Sequence, residues 1–580
     1  MSNIKLKNIF PLLRSLRNYD KRDFKDDFIA GLTVAVMLVP QGMAYALLAG
    51  LPPIYGLYAG IIPTLIYAIF GTSRQLSVGP VALVSILVLS GISEFAEPGS
   101  SEFIRLAIVT GLLAGVIQVV LGILRLGFLV NFLSVPVLSG FTSAAAIIII
   151  FSQLKNLLGL NMTNSNQIHE IILNLSPQLV NIHLPTFLIG VGAIVLMIAL
   201  KKANKRLPYP LIAVVVSILF VWIFGWHQSG IAIIGEIPQG LPAIKSLPFD
   251  LETVQNLLPL ALTICMISFI ESLAIAKNIE AKRKSYRILP NVELFALGIS
   301  KIVGAFFQSY PTTGSFGRSA LNEEAGAKTG ISSIITALLI VFILLFLTPL
   351  FYHLPKAVLA AIIMVVVQRL IDFQEMQYLW KHDRKDFLTF ITTFVITLTV
   401  GIQLGILMGV IISIAQIIYQ NAKPHVAILG RIPNTRHYRN ISRFPEAIQP
   451  LDTLIVRFDA QIYFGNTDFF RSKIEDLVTQ NTPTLKNLIL DASSITDLDT
   501  SGVKMLNELL VYLERKEIKL CVADAIGPVR DILYKTGLMN KIGEDCHFMH
   551  VSDAVAFFEG KMVATFQEKC TMARQQNVDL

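Results

Sequence analysis

Ser77-Val78-Gly79-Pro80-Val81-Ala82 and Tyr310-Pro311-Thr312-Thr313-Gly314-Ser315 decide how this chain reads. Each opens a short segment, 79–92 and 314–326, in a chain otherwise built from longer apolar runs. Those longer runs fall near 28–48, 54–70, 104–124, 130–152, 184–200, 209–226, 256–276, 291–308, 331–350, 356–371, 386–401 and 403–420. A membrane helix needs about 20 mainly apolar residues, so the reading is a polytopic α-helical membrane protein of about fourteen segments. The short segments are third and tenth. Seven is odd, so the second half starts from the opposite face, as in a 7+7 inverted repeat whose two broken helices meet at mid-depth.

Composition agrees. Of 580 residues, 53% are hydrophobic and 15% charged, against about a quarter charged in a soluble domain. A soluble multidomain enzyme is excluded, and no catalytic residues are assigned. Residues 1–420 carry 29 Lys+Arg and 20 Asp+Glu, and 421–580 carry 19 and 20. The charge density doubles after about residue 420, so a soluble tail follows the membrane part. The basic excess sits in the membrane part and reads as topology rather than as a nucleic-acid surface. Lys5, Lys7, Arg14, Arg17, Lys21, Arg22 and Lys25 precede the first span. Arg74, Arg125, the Lys201–Arg206 cluster, Lys277–Arg287 and Lys381–Lys385 follow the second, fourth, sixth, eighth and twelfth. The positive-inside rule then puts both termini and the tail in the cytoplasm, for a multi-pass protein of the cell (inner) membrane. Four cysteines are too few for a disulfide framework, and Cys521, Cys546 and Cys570 lack zinc spacing, so no metal or cofactor is expected. The first apolar run follows a basic segment and continues as a long span, unlike a cleavable signal peptide.

A half-helix that starts inside the bilayer leaves backbone N–H groups free at its positive dipole end. Two such ends facing each other make an anion site. The first is expected at Pro80-Val81-Ala82 and the second at Ser315-Phe316-Gly317. Arg318 lies at the same depth and either attracts the anion or serves as a structural counter-charge. Glu271, the other intramembrane charge, would repel an anion unless protonated or paired with a cation. It is a natural proton- or sodium-coupling residue, or else the salt-bridge partner of Arg318. Gln41 and Tyr45 share a helix face and can donate to an oxyanion or hold neighbouring helices together.

Val39–Ala46, Leu51–Tyr58, Ser77–Ala82, Glu271–Lys277 and Pro311–Ser319 resemble signatures of the SulP anion transporters. The resemblance covers almost the whole chain. It implies a core and a gate domain, a homodimer and an elevator-like movement of the core. It also implies an anion held between the third and tenth segments by Gln41, Tyr45, Ala82 and Ser315–Arg318, with Glu271 linked to cation coupling. Many members have serine where this chain has Gly317. The expected activity is secondary active transport of an inorganic anion, sulfate foremost, with bicarbonate, C4-dicarboxylates or a channel as rivals. The absence of a Walker A sequence argues against an ATP-driven pump.

The tail is divided into a linker, 421–450, and an α/β domain, 451–565, before a terminal stretch, 566–580; residues 1–27 are an N-terminal segment. Strands are expected at Thr453–Phe458, Gln461–Phe464, Leu485–Leu490 and Ile518–Val522, with helices at Asn466–Gln480, from Asp497 through Leu513, and at Pro528–Lys535. This pattern resembles a STAS domain, a module that would recruit cytosolic partners. In the antagonist branch of that family a hydroxyl matching Thr500, beside Ser501, is phosphorylated. The alternative is that Asp499 or Thr500 simply caps a helix.

Overall fold

The computed structural model describes residues 11–16, 19–128, 134–160, 162, 167–204, 207–247, 250–481 and 483–560. Lys5, Lys7, Arg17, Lys205, Arg206, Cys570, the start of the 130–152 window and the stretch 566–580 lie outside the described residues. The chain forms two compact units, Met1–Ser413 and Ile414–Leu580.

Each of the fourteen windows contains a helix. In the first half these are α1 Lys21–Leu48, α2 Pro53–Phe70, α3 Ala82–Ile92, α4 Ser101–Ile123, α5 Val135–Leu158, α6 Leu184–Ala203 and α7 Tyr209–Ile223. In the second they are α8 Leu251–Arg283, α9 Pro290–Phe306, α10 Phe316–Glu324, α11 Ile331–Phe351, α12 Lys356–Val367, α13 Arg384–Thr399 and α14 Ile402–Ala422. Among the described residues, nine stretches are long and apolar enough to cross a membrane, and α3 and α7 are shorter apolar helices. Local chemistry sets the ends. Asp20 caps α1, accepting from the backbone N–H groups of Arg22 and Asp23 at 2.8 Å each, with Asp23 completing a capping box. Pro starts α2, α6 and α9 within their first turns, where its missing N–H costs nothing. Three further α-helices among the described residues of the first unit, Pro11–Ser15, Ile168–Leu175 and Phe373–His382, fall outside the windows because they are too short for a span signal.

Packing is reciprocal between the halves. α4 lies against α8 and α9, and its counterpart α11 lies against α1 and α2. α5 packs on α12 and α13, and α12 on α5 and α6. The α4–α9 crossing is close enough to demand glycine: a Cβ on Gly115 would sit 2.8 Å from the Gly298 carbonyl oxygen, and one on Gly298 2.7 Å from that of Gly115. Two buried carboxylates tie each half to a connection of the other. Asp27 accepts from the N–H groups of Lys328 and Thr329 and from the Thr329 and Tyr19 hydroxyls. Glu293 accepts from Tyr67, from the N–H and hydroxyl of Thr72, and from the Ser73 N–H.

Cavities at the two ends test the crossing parity. One cavity is lined by residues preceding α1 and from the α2–α3 and α8–α9 connections, together with Gly330 at the start of α11. Another joins the ends of α1, α3 and α5 to Lys356 at the start of α12. Even-numbered connections thus meet at one end and odd-numbered ones at the other.

The second unit carries a six-stranded sheet in the order β4-β3-β5-β6-β7-β8. Its strands are β3 Val426–Arg431, β4 Tyr438–Asn440, β5 Thr453–Phe458, β6 Asn487–Asp491, β7 Lys519–Ala523 and β8 His547–Phe548. β5 to β8 are parallel, and β3 and β4 add antiparallel at the edge. The reading of 421–450 as a linker is therefore corrected. Pro424 and Pro433 flank β3 rather than interrupt it, and Ala427 and Leu429 alternate into the core. Gln461–Phe464 is not a strand; Ile462 makes a single parallel bridge to Leu498, and Tyr463 and Phe464 turn into α15, Thr467–Asn481. α16 Thr500–Arg515 and α17 Gly527–Lys535 fall where expected. Cys521 and Cys546 lie side by side in the interior, Cα atoms 4.5 Å apart.

Candidate functional site

The site grows from two two-residue strands. β1 Val78–Gly79 and β2 Thr313–Gly314 pair antiparallel, Val78 opposite Gly314. This crossover satisfies the backbone where the two broken segments are not helical, as a low-dielectric interior requires. Further ties lock it. The Ser315 N–H donates to the Ser77 carbonyl at 3.0 Å, the Ser77 N–H to Ser319 Oγ at 2.9 Å, and Asn322 Nδ2 to the Gln75 carbonyl at 3.0 Å. Ser85, in the first turn of α3, and Tyr310 share a hydroxyl hydrogen bond of 3.1 Å. α8 clamps β2 from behind: Ser272 Oγ accepts from the Gly314 N–H at 2.9 Å, and Thr313 Oγ1 donates to the Ser268 carbonyl at 2.7 Å.

α3 and α10 leave this crossover as half-helices. Val81 occupies the N-cap of α3 and has no side chain that can cap it, so the first-turn N–H groups keep their donors. The helix begins at Ala82, two residues after Pro80. Ser315 caps α10 with a long bond from the Arg318 N–H, 3.5 Å. Val81 and Ala82 are buried, whereas Phe316 and Gly317 are exposed and Ser315 is half-buried, so the opening lies on the α10 side. A Cβ built on Gly317 meets nothing within 4 Å.

Arg318 is fully buried, at 0% exposure. Its Nη1 donates to the Pro80 carbonyl at 2.9 Å and to Gln41 Oε1 at 3.5 Å, and its Nε to Ser77 Oγ at 3.3 Å. One guanidinium thus binds the start of the first broken segment while riding on the second. Its Nη2 is buried with no hydrogen-bond partner and lies where a Gly79 side chain would be, 3.2 Å from an ideal Cβ, which explains the glycine there. Gln41 and Tyr45 are both buried on α1. Pro40, immediately before Gln41, withholds the N–H that would close the helical turn there. With its carbonyl oxygen on Arg318, Gln41 retains its amide N–H donors. Tyr45 is within electrostatic reach of Arg318, Glu271, Tyr209 and Arg369.

Glu271 is half-buried on α8 between Ser268 and Ser272. Its Oε2 is buried without a hydrogen-bond partner, and no ion pair joins it to Arg318. Arg318 turns Nη1 and Nε to Pro80, Gln41 and Ser77, so in this structure it acts on Glu271 through its charge and not through a direct salt bridge. Four polar residues escaped sequence reading: Lys301, Gln118, Arg369 and Tyr209. Lys301, buried in α9, donates to Gln118 Oε1 at 2.8 Å, and Gln118 in turn donates to Ser268 Oγ at 2.9 Å. Arg369, just after α12, donates to Tyr209 at 2.9 Å. A lysine inside the 291–308 window was the available signal for the first. For Arg369 and Tyr209 there was none, because they approach Tyr45 only through the tertiary fold.

In the second unit, Asp499 caps α16, accepting from the Gly502 N–H at 2.7 Å with Oδ1 and from the Phe464 N–H at 2.9 Å with Oδ2. Thr500 is the first helical residue and is exposed; Ser501 is half-buried.

Residues 24–393 match the family model described as the sulfate permease family, and residues 444–556 match that of the STAS domain. The chain is 40% identical over 565 residues to sulfate transporter 4.1, chloroplastic, of Arabidopsis thaliana, covering 94% of this chain and 82% of that protein. It is 38% identical over 582 residues to high affinity sulfate transporter 2 of Stylosanthes hamata, covering 96% and 88%. The solved murine solute carrier 26 family member A9 anion transporter, in its inward-facing state, superposes with a TM-score of 0.89 at 25% identity, covering 97% of this chain and 96% of that one. With its paired half-helices and its C-terminal STAS domain, the chain belongs to the sulfate permease family of multi-pass membrane proteins.

Proposed function

We propose that this chain is a secondary active transporter of sulfate, coupled to protons or sodium, working by an elevator-type movement of its core in a homodimer. One observation carries the reading: two half-helix N-termini are locked to one crossover beside a fixed cation and an unpaired carboxylate. In this reading the first-turn N–H groups at Val81–Ala82 and at Ser315–Gly317 receive the sulfate oxygens. Gln41 and Tyr45 donate from α1, Phe316 lines the open side, and Arg318 supplies positive potential. Glu271 takes up the coupling cation, which removes the repulsion a dianion would meet. The relatives' names support sulfate over bicarbonate and dicarboxylates. We place both termini and the STAS domain in the cytoplasm of a cell-membrane protein, following the basic connections at the even end.

The test is labelled uptake of sulfate, bicarbonate and succinate into proteoliposomes, with proton and sodium gradients varied separately. Sulfate accumulation driven by one gradient is expected. Uptake that only equilibrates sulfate would make the protein a channel, and preference for either rival anion would overturn the substrate.

Gly317→Ser is expected to fold normally, because open space surrounds the position. A hydroxyl beside the half-helix end should lower the KM for sulfate by roughly three- to tenfold, in line with about 1 kcal/mol for one added hydrogen bond. Uptake kinetics and a melting curve check both parts.

The tail is proposed to be regulatory, with Thr500 its phosphorylation site, Ser501 the neighbouring candidate and cytosolic proteins its partners. A phosphate on Thr500 would sit at the N-terminus of α16, a favourable end for negative charge. Thr500→Ala should leave the Asp499 cap and the fold intact and remove phosphate from the tail in phosphopeptide mapping. A phosphopeptide that persists with Ser501 modified moves the assignment by one residue, and one elsewhere refutes it.

A further inference from the structure

At the even-numbered end, a cavity of about 370 Å³ lies where the short helix Pro11–Ser15 meets the α2–α3 and α8–α9 connections. A second, of about 550 Å³, shares Arg14, Ser15, Arg74 and Ser285 with it. Five cations line the two, Arg14, Arg74, Arg283, Arg287 and Lys328, against one carboxylate, Asp23. Arg283 is paired with Glu323 at 3.1 Å and Lys328 with Asp26 at 3.7 Å. Arg14, Arg74 and Arg287, each from a different stretch of chain, have no ion-pair partner among the described residues. Arg74 lies over the Tyr286 ring at 5.1 Å. Glu293, beneath Thr72 and Ser73, is occupied by four hydrogen bonds and offers these arginines nothing. Ser73 Oγ is buried next to the Tyr286 hydroxyl, which lines the same cavity.

We propose that this cavity binds a phosphate group, held by Arg14, Arg74 and Arg287 with the hydroxyls of Ser73 and Ser285. Guanidinium forks match phosphate oxygens two at a time, and three arginines lining one cavity favour a multiply charged head over a simple halide. The cavity has the size of a small-molecule site. It is separate from the proposed sulfate site, since none of its lining residues belongs to the β1–β2 crossover or the half-helix N-termini. A bound phosphate would bridge the N-terminal helix to the ends of α2 and α8, which makes the site regulatory. The phosphate group can belong to a soluble diphosphate or to a lipid head.

Two probes on the purified full chain distinguish these sources. Inorganic pyrophosphate is titrated calorimetrically. Short-chain phosphatidic acid is compared with short-chain phosphatidylcholine by the shift in melting temperature. Saturable binding of one probe is expected, weakened about tenfold in Arg74→Ala/Arg287→Ala and to a lesser degree in Arg14→Ala. Binding of pyrophosphate assigns a soluble ligand, and a response to phosphatidic acid alone assigns a lipid head. No binding of either probe, or equal affinity in wild type and variants, overturns the proposal. Should the double variant fail to fold, Arg14→Ala decides, since Arg14 lies on an exposed face outside the spanning helices. Pyrophosphate bound in the transport site would be untouched by these substitutions and so reads as a failure.

Discussion

Glu271→Gln is expected to abolish sulfate accumulation against a gradient while leaving sulfate binding within about threefold of wild type or tighter. The argument begins with the unpaired Oε2. Removing one partner of a buried ion pair costs several kcal/mol, but Glu271 has no such partner, so its neutralisation orphans nothing. Gln is nearly isosteric and keeps α8 in place, and Ser268 and Ser272 continue to hold Thr313 and Gly314. What disappears is the ability to change charge. In the wild type, taking up a proton or sodium ion removes a negative charge beside the anion, so sulfate affinity should rise as pH falls, or as sodium rises. In the variant that dependence should be flat, while exchange of labelled for unlabelled sulfate continues. Proteoliposome accumulation and a binding titration at several pH values and sodium concentrations check this. Retained accumulation with an unchanged cation dependence would remove Glu271 from the coupling step.

How much of this was legible beforehand differs by residue. Glu271 and Arg318 could be singled out because charge in an apolar window is conspicuous on its own. The half-helices were visible through Pro80 and the Pro311–Gly314 run, since Pro and Gly limit helix geometry locally. The pairing of Val78 with Gly314 was not visible, because residues more than two hundred positions apart meet only once the two halves interlock. The same limit hid the role of Arg318: a sequence can show a buried cation, but not that Pro80, Ser77 and Gln41 receive its hydrogen bonds. In the tail, β5 to β7 stood out as continuous apolar runs, as buried parallel strands do. β3 sat among prolines and charges, a pattern that a loop shares, and only its pairing with β4 and β5 in the fold makes it a strand.

Arg318→Ala should have the larger effect, and it should act twice. Removing the guanidinium takes away the only fixed cation bridging the two half-helices in the described site, and truncating one side of a buried charged contact costs about 2–5 kcal/mol. Sulfate affinity is therefore expected to fall by roughly a hundredfold or more. The same substitution strips Nη1 from the Pro80 carbonyl and from Gln41, and Nε from Ser77, leaving buried acceptors unmet at about 1–3 kcal/mol each. The melting temperature should drop as well. Arg318→Lys separates the two effects. An ammonium keeps the charge and can reach one of the three acceptors but has no planar fork to reach all of them. If charge dominates, the lysine variant should recover most of the sulfate affinity while remaining less stable than wild type. If the brace dominates, affinity and melting temperature should fall together in both variants, because the half-helix ends would no longer be held at the spacing set by the crossover. Unchanged sulfate affinity in Arg318→Ala, with only the melting temperature lowered, would leave Arg318 a purely structural role and put the anion on the helix N-termini alone.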